Sequence, residues 1–432
     1  MDKKVIVVGA GLAGSEATYF LAKHGCEVTL YEMRPSDKAP AHHTGKFSEL
    51  VCSNSLKSLA IDNAAGLLKE EMKVLDSLIM ESALLAKVPA GQALAVDREK
   101  FADYIDDKIR SLPNVKIIHD EFIDIPKDVP VIIATGPLTS PSLSQKIQEL
   151  LGSDYLYFYD AAAPLVLKES IDFTKCYYKS RYDKGDGKDY INCPFTKEEF
   201  HRFYQELLKA KRVELKTFEK EIHFEACMPI ESIAQRGEKT LTFGPMKPKG
   251  LEREDGSRPY AVVQLRQDDA LSNIYNIVGF QTNLTFPEQK RVFSMIPGLE
   301  NATFIRYGVM HRNTFINSPA QLDATLQLRC QRNIFFAGQI VGVEGYIESA
   351  CSGIIAAINV LRYIKGKDLV VPPKETVIGA LLNYISSSGA KTFQPMNANY
   401  GVLASPIKDK FEIAKVSLEE LTKWREKYAD IL

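Results

Sequence analysis

The first 32 residues constrain the fold of this chain more than any other stretch. An apolar, β-branched run at residues 3–8 predicts a buried strand, which breaks into the sequence GAGLAG and then into a helical pattern. Gly9 permits a tight turn, Gly11 lets a pyrophosphate approach the backbone, and Gly14 lets the helix pack closely on the strand. A second apolar run follows and ends on Glu32. The pattern predicts a dinucleotide site on a βαβ unit; the alternative is a glycine turn that only joins a strand to a helix.

The acid at the end of the second strand indicates which dinucleotide binds. An acid at this position meets a ribose hydroxyl, so Glu32 favours FAD or NAD over a cofactor with a 2′-phosphate. The helix after the glycines offers unpaired N–H groups and a positive dipole end to the phosphates.

Two later stretches repeat the pattern of a strand that ends in glycine. Residues 129–134 run into the sequence ATG, and residues 333–337 run into a glycine turn before a helix predicted to end near residue 364. We expect the N-terminus of that helix to face a flavin ring, where it would stabilise the anionic reduced form; a glycine-rich packing helix is the alternative. The predicted cofactor-binding residues are Gly9, Ala10, Gly11, Leu12, Ala13, Gly14, Glu32, Met33, Arg34, Ala134, Thr135, Gly136, Gly338, Gln339, Gly342, Glu344, Gly345 and Tyr346.

Composition narrows the class of protein. The seven cysteines form no CxxC pair, which argues against a disulfide framework and a structural zinc site and favours a reduced, cytoplasmic compartment. We expect no signal peptide, no membrane-spanning segment and no metal site, and we expect His42 and His43 to be solvated loop residues. A net charge of −1 neither favours nor excludes nucleic acid.

The chain, at 432 residues, is long enough for two domains. Alternating strands and basic, turn-rich loops replace the βα pattern between about residues 161 and 324. We therefore predict an α/β fold: a Rossmann-like, glutathione-reductase-type FAD domain formed by residues 1–160 and 325–432, with an inserted α+β domain at 161–324. Residues 66–86 are predicted to form one helix, and residues 122–125 a strand.

Two cysteines are candidates for chemistry. Cys52 lies in the polar sequence SELVCSNSLKS, where Lys57 or a helix N-terminus could lower the thiol pKa. Cys227 lies between an apolar run and Pro229, and from these residues alone a buried, inert thiol is the better interpretation of it.

More specific stretches carry a resemblance to a family. They are MRP after Glu32, SELVCSNSLKS, GPMKP, YGVMHRNTF and GQIVGVEGYIESACSG. Together they resemble the bacterial folate- and FAD-dependent tRNA uracil-5-methyltransferases (TrmFO family) over essentially the whole chain. The related wobble-uridine tRNA modification flavoenzymes (MnmG family) share the glycine motif and are an alternative, but they are longer and lack the SNSLKS and VMHRN stretches.

The resemblance implies methyl transfer without S-adenosylmethionine. Methylenetetrahydrofolate would give one carbon, NADH or NADPH would reduce FAD, the flavin would carry the methylene group and the hydride, and the T-loop uridine of tRNA would become 5-methyluridine. Family cysteines match Cys52 and Cys227, with Cys227 favoured as the nucleophile that adds to uracil C6 and Cys52 as its partner, although the order stays open. His311 matches a family histidine that stacks the folate ring against the flavin. For RNA contact, the candidates are Lys247, Lys249 and Arg253.

Two functions of other classes also compete with this one. A FAD/NAD(P)H oxidoreductase that acts on a small molecule explains the glycine motifs but not two reactive cysteines outside a CxxC pair. A tRNA-binding protein that uses FAD structurally is the third hypothesis. Sequence reasoning gives no oligomeric state.

Overall fold

The computed structural model describes residues 3–36, 42–152, 156–161, 163–183, 186–213, 228–268, 272–308, 310–387, 393–403 and 405–429. For residues 156–161, 183 and 310–312 only the backbone is described.

In this part of the chain the strands are β1 (Lys4–Val8), β2 (Glu27–Tyr31), β3 (Ser55–Ser58), β4 (Lys87–Val88), β5 (Ala93–Val96), β6 (Val115–Ile118), β7 (Val131–Ile133), β8 (Leu156–Ala161), β9 (Leu165–Leu167), β10 (Tyr177–Tyr178), β11 (Tyr190–Phe195), β12 (Ala261–Gln267), β13 (Ile274–Ile277), β14 (Phe304–Arg306), β15 (Met310–Phe315) and β16 (Ile334–Phe336).

The α-helices are α1 (Leu12–Lys23), α2 (Ala64–Val74), α3 (Leu78–Leu85), α4 (Arg98–Arg110), α5 (Pro141–Leu151), α6 (Lys197–Lys209), α7 (Ile230–Gln235), α8 (Glu238–Phe243), α9 (Phe286–Phe293), α10 (Ser318–Gln321), α11 (Tyr346–Ile364), α12 (Val377–Ser387) and α13 (Lys410–Lys427).

A parallel sheet of order β16-β7-β1-β2-β6 forms the first half of the molecule. Strands β1, β7 and β16 are largely buried apolar runs, as the part of a sheet covered on both faces requires. The chain leaves β1 in one direction through α1 to β2 and later returns to the other side of β1 as β7. Ligands bind at such a reversal, beyond the carboxyl ends of the strands, so the sheet places the site next to the glycine turn.

A sheet of order β10-β11-β12-β13-β9-β14, antiparallel throughout, forms the second half. Helices α6 and α9 cover it through a core rich in phenylalanine. The antiparallel pair β8 and β15 and a three-stranded sheet, β3-β5-β4, lie outside these two sheets.

Each half of the molecule has its own large hydrophobic core. The core of the first half consists of residues up to 147 and from 315 onward, and the core of the second half consists of residues 166–302. The predicted fold class, a Rossmann-like α/β fold with an inserted α+β part, is confirmed, while the domain boundaries near 160 and 325 stay a prediction.

Helix α11 is the central helix of the first half. Its Gly353 allows close contact with α1, because a Cβ there would lie 2.2 Å from the carbonyl oxygen of Ala13. Among the described residues it is the one helix long and apolar enough, by length and composition alone, to cross a membrane. However, 94% of that helical window is buried inside the protein, as in the core helix of a folded domain.

Helical periodicity alone misplaced one boundary. The helix predicted for residues 66–86 is two helices, because Asp76 takes a φ of +56° and the Ser77 side chain accepts a hydrogen bond from the amide of Met80 to cap α3. The strand predicted at 122–125 is irregular backbone, in which Phe122 packs edge-on against Tyr31.

Candidate active site

An open cleft of about 1100 Å³ lies at the reversal point of the parallel sheet. The glycine turn after β1, the end of β2, the loop after β7 and the start of α11 all contribute to it. Of the predicted cofactor-binding residues, those that line the cleft are Gly9, Gly11, Leu12, Ala13, Glu32, Met33, Arg34, Ala134, Thr135, Gly136, Gly338, Gln339 and Tyr346.

The remaining predicted cofactor residues are not among those that line the cleft. Ala10 donates its amide to Glu32, and Glu344 accepts a hydrogen bond of 2.8 Å from Gln339 Nε2. Gly14, Gly342 and Gly345 serve packing, because a Cβ on each would collide with Gly9, Phe393 and Glu348 respectively.

The glycine turn fits a dinucleotide. Gly9 has a φ of +95°, and a Cβ there would lie 2.7 Å from the carbonyl oxygen of Ala134. Gly11, the N-cap of α1, has open space where its Cβ would be, and no side chain caps this end of the helix. The unpaired N–H groups of α1 thus adjoin an opening that a pyrophosphate can fill.

Glu32 is held firmly before any ligand binds. Its carboxylate accepts hydrogen bonds from the amide of Ala10 at 2.8 Å and from Arg34 Nε and Nη2 at 2.8 and 2.9 Å. Burial alone would raise the pKa of Glu32, but the hydrogen bonds and charge of Arg34 outweigh it, so the net shift is downward. The acid is therefore ionised and oriented at neutral pH.

His42 corrects the expectation of a solvated histidine. It lines the cleft, and its Nδ1 is buried with no hydrogen-bond partner among the described residues. Burial lowers the pKa of His42 to about 4, with the charge of Arg34 acting in the same direction. The cause is the fold of this loop, which Glu49 ties back by accepting the amides of His43 and Thr44. His43 is exposed, as expected.

The loop that carries Cys52 borders the same cleft. Tyr346, the first residue of α11, is half-buried at the cleft, and its hydroxyl accepts the amides of Cys52 at 2.8 Å and Ser53 at 3.2 Å. Lys57 lies with its Nζ 2.7 Å from Glu348 Oε1, so its charge is paired with a buried carboxylate rather than directed at the thiol alone. Cys52 is partly exposed.

Sequence reasoning missed the residues that hold this loop. Arg98 donates to the carbonyl oxygens of Leu50 and Cys52, and its Nε lies 2.9 Å from Asp268 Oδ2. The buried Asn54 bonds through Nδ2 to the carbonyl oxygens of Val96 and Gln267. These partners lie far away in sequence and in both halves of the molecule, so the sequence around Cys52 carries no signal for them.

The other predicted site residues fall in different places. Cys227 lies outside the described residues, and of His311 only the backbone is described, in β15 opposite Asp160. The predicted RNA contacts lie on a loop of the inserted part, where Lys249 and Arg253 are exposed and Lys247 is half-buried. Arg181 supports that loop, because its Nη2 donates to the carbonyl oxygen of Lys247 at 2.9 Å.

The described part of the chain contains no cluster of side chains that could bind a metal ion. No three histidine, cysteine, aspartate or glutamate side chains there are grouped so that they could hold an ion.

Comparison with solved structures shows the fold. The chain superimposes on Aquifex aeolicus GidA with a TM-score of 0.74 at 18% identity, over 99% of this chain and 76% of that one. The family model described as "Glucose inhibited division protein A" matches residues 4–368.

Comparison with curated proteins is more specific. The chain is 59% identical to a methylenetetrahydrofolate--tRNA-(uracil-5-)-methyltransferase TrmFO of Listeria monocytogenes, over 93% of this chain and 92% of that protein. It is 60% identical to the protein of the same name from Lysinibacillus sphaericus, over 93% and 92%, and 59% identical to that from Bacillus licheniformis, over 95% of both. Identity of this order over nearly the full length of both chains shows that this chain belongs to the TrmFO family.

Proposed function

We propose that this chain is a methylenetetrahydrofolate- and FAD-dependent tRNA uracil-5-methyltransferase that converts the T-loop uridine to 5-methyluridine. The observation that carries the proposal is the identity of about 59% over nearly the whole chain to relatives that bear the name of this activity. The cleft beside the Cys52 loop supports it, because the reaction needs a dinucleotide and a nucleophilic or basic thiol close together.

FAD fits the cleft through the residues of the glycine turn, Glu32 and the start of α11. When bound there, it carries the one-carbon unit and supplies the hydride that brings a methylene carbon to the level of a methyl group. NADH or NADPH is the source of the two electrons. The chain's contribution is to hold the dinucleotide in the cleft and to place the cysteine loop against it.

The two cysteines are the candidates for the nucleophile and the base that methylation of uracil requires. Uracil C5 is a poor nucleophile until a thiolate adds to C6, and a second group must later remove the C5 proton. We assign these two roles to Cys227 and Cys52, with Cys227 favoured for the addition and Cys52 for the partner role. The position of Cys52 next to Tyr346, at the wall of the cleft, supports a place in this chemistry.

The second half of the molecule carries the candidate residues for tRNA binding. A base inside a folded loop must leave its stack before it reacts, so the enzyme needs cationic contacts to the phosphates on either side. Lys247, Lys249 and Arg253 are the proposed contacts, and His311 is the proposed folate contact. A tRNA substrate agrees with the cytoplasmic location predicted from composition.

A carbon-label transfer assay tests the proposal. The FAD-loaded enzyme is mixed with methylene-labelled tetrahydrofolate, NADPH and an unmodified tRNA transcript, and label in the RNA is counted. We expect label that disappears when the T-loop uridine is replaced by cytidine. NADPH oxidation without label in any RNA would reject the methyltransferase in favour of a small-molecule oxidoreductase.

A further inference from the structure

Three guanidinium groups converge on the short loop that carries Cys52. Arg98 stands at the start of α4, Arg266 lies in β12 and Arg306 ends β14. They come from both halves of the molecule, so the two halves meet at the cysteine loop.

Arg98 and Asp268 form the centre of this arrangement. The carboxylate takes two hydrogen bonds from the guanidinium, at 2.9 Å from Nε and 3.3 Å from Nη2. The same guanidinium donates to the carbonyl oxygens of Leu50 and Cys52, on either side of Val51. The loop is thereby held at two of its carbonyl oxygens.

Arg266 holds the next two residues of the loop. It is 7% exposed, and its Nη2 donates to Ser53 Oγ at 2.8 Å while its Nε donates to Asn54 Oδ1 at 3.1 Å. Because Asn54 is itself fully buried and bonded to both halves, this contact fixes the backbone that follows Cys52.

Arg306 is different, because few of its donors are used. Its Nη2 lies 3.5 Å from the carbonyl oxygen of Cys52, and its Nε is buried with no hydrogen-bond partner among the described residues. Such a group contributes little hydrogen-bond energy here but brings a full positive charge to the loop.

The charges around Cys52 do not cancel within the described residues. Asp268 neutralises one of the three guanidiniums, Lys57 is paired with Glu348, and the Tyr346 hydroxyl is uncharged at neutral pH because burial raises its pKa. Burial is the largest influence on the pKa of each guanidinium and acts to lower it. A negative charge on Cys52 acts to raise the pKa of all three. The guanidiniums and a Cys52 thiolate therefore stabilise each other.

We propose that Arg98, Arg266 and Arg306 form an arginine clasp that positions the Cys52 loop and holds its thiol as a thiolate near neutral pH. In this clasp Arg98 and Arg266 fix the backbone, and Arg306 acts mainly through its charge. The inference rests on the proposed function only in giving Cys52 a chemical role, since the ionisation of the thiol is measurable without turnover.

Alkylation of the thiol at different pH values tests the clasp. The FAD-loaded enzyme, with its cysteines kept as free thiols, is treated with iodoacetamide between pH 5 and 10, and the modified Cys52 peptide is quantified by mass spectrometry. In the native enzyme we expect the alkylation midpoint of Cys52 at least about one pH unit below that of Cys330, an exposed thiol in the first half. A midpoint of Cys52 at or above that of Cys330 would overturn the proposal, and this result needs no variant to fold.

Arg306 variants separate charge from shape. We expect Arg306→Gln to raise the Cys52 midpoint by about one pH unit, which lowers the alkylation rate at pH 7 about three- to fivefold, and Arg306→Lys to restore most of it. Arg332→Gln removes an exposed arginine that pairs with Asp323, and we expect it to leave the midpoint unchanged. An unchanged midpoint in Arg306→Gln, or equal shifts in the Gln and Lys variants, would overturn the role of the charge.

Methylation kinetics on the same variants complete the test. We expect Arg306→Gln to lower kcat for label transfer at pH 7 and to leave the KM for tRNA unchanged, with kcat recovering as the pH is raised. A change in KM alone would overturn the clasp as a device of the thiol. If the native enzyme transfers no label, the proposed function fails while the alkylation result still decides the clasp.

Discussion

The dinucleotide turn and the Cys52 loop lie side by side at one cleft but are built in opposite ways. The turn is formed by residues close in sequence: Gly9 to Gly14 make it, and Glu32 closes it through the amide of Ala10. The loop is formed by distant residues, since Arg98 and Arg266 hold the residues around Cys52 and Arg306 lies beside them. A local site keeps its geometry wherever its strand and helix form, whereas the loop has its geometry only when both halves are folded and in contact.

Replacement of Cys52 should have the largest effect and should leave the turn untouched. We expect Cys52→Ala to lower label transfer by about a thousandfold or more, because a thiol that acts in covalent or acid–base chemistry has no substitute in alanine. FAD content, read from the flavin absorbance per protein, should be unchanged. Cys330→Ala is the matched control, and transfer that survives in Cys52→Ala would remove this residue from the chemistry.

Two glycine substitutions should separate packing from cofactor contact within the turn. A Cβ at Gly14 would lie 1.8 Å from the carbonyl oxygen of Gly9, so we expect Gly14→Ala to cost about 3 kcal/mol of unfolding free energy with or without FAD. Gly11 has a φ of −73° and open space for a Cβ.

We therefore expect Gly11→Ala to leave the apo-protein stable and to weaken FAD binding about tenfold or more. Thermal melts of apo and FAD-loaded protein, with fluorescence titration of FAD, make the comparison. Equal FAD affinity in Gly11→Ala and the native protein would show that the pyrophosphate does not approach this residue.

Removal of Asn54 should break the loop through its distant contacts. Asn54→Ala leaves the carbonyl oxygens of Val96 and Gln267 without their bonds, so we expect a loss of about 2–4 kcal/mol in urea unfolding and faster alkylation of a loosened Cys52 loop above pH 9. Asn63→Ala, which removes only the N-cap of α2, should cost about 1 kcal/mol and leave the alkylation rate unchanged. Identical alkylation in both variants would contradict a loop held by Asn54.

His42 should give the smallest effect, visible as a pH dependence. Its pKa is about 4 in the folded protein, below the ordinary value of 6.5, so the unfolded chain takes up a proton first as the pH falls. Stability linked to His42 is present above about pH 6.5 and is lost between there and pH 4, by roughly 1–2 kcal/mol at pH 5.

We expect His42→Gln to lose less stability than the native protein between pH 7.5 and pH 5, and to bind FAD a few times more weakly because His42 lines the cleft. Urea unfolding at both pH values and FAD titration at pH 7.5 are the measurements. An identical loss of stability in both proteins would mean that His42 is already accessible to protons in the folded state.

The same contrast explains what could be predicted from sequence. The order of strands around β1, the reversal point and the set of residues in the glycine turn follow from local pattern, because the strand, the glycines, the helix and the acid all lie within 32 consecutive residues. Arg98 and Asp268 belong to a pair separated by 170 positions, and no periodicity or motif joins them. The buried position of His42 could not be predicted from the sequence for a related reason. It depends on the way Glu49 folds the loop back by accepting the amides of His43 and Thr44.

The late return of the chain to its first sheet has a consequence for synthesis on the ribosome. Strand β16 and helix α11 emerge roughly 200 residues after β7, so at 5–20 residues per second the nascent chain waits about 10–40 s for them. Until then the face of α1 that Gly353 will cover is open, and the nascent first half displays an unfinished apolar surface. The second half, whose core uses only residues 166–302, can close before the first one does, so the middle of this polypeptide is expected to mature ahead of its beginning.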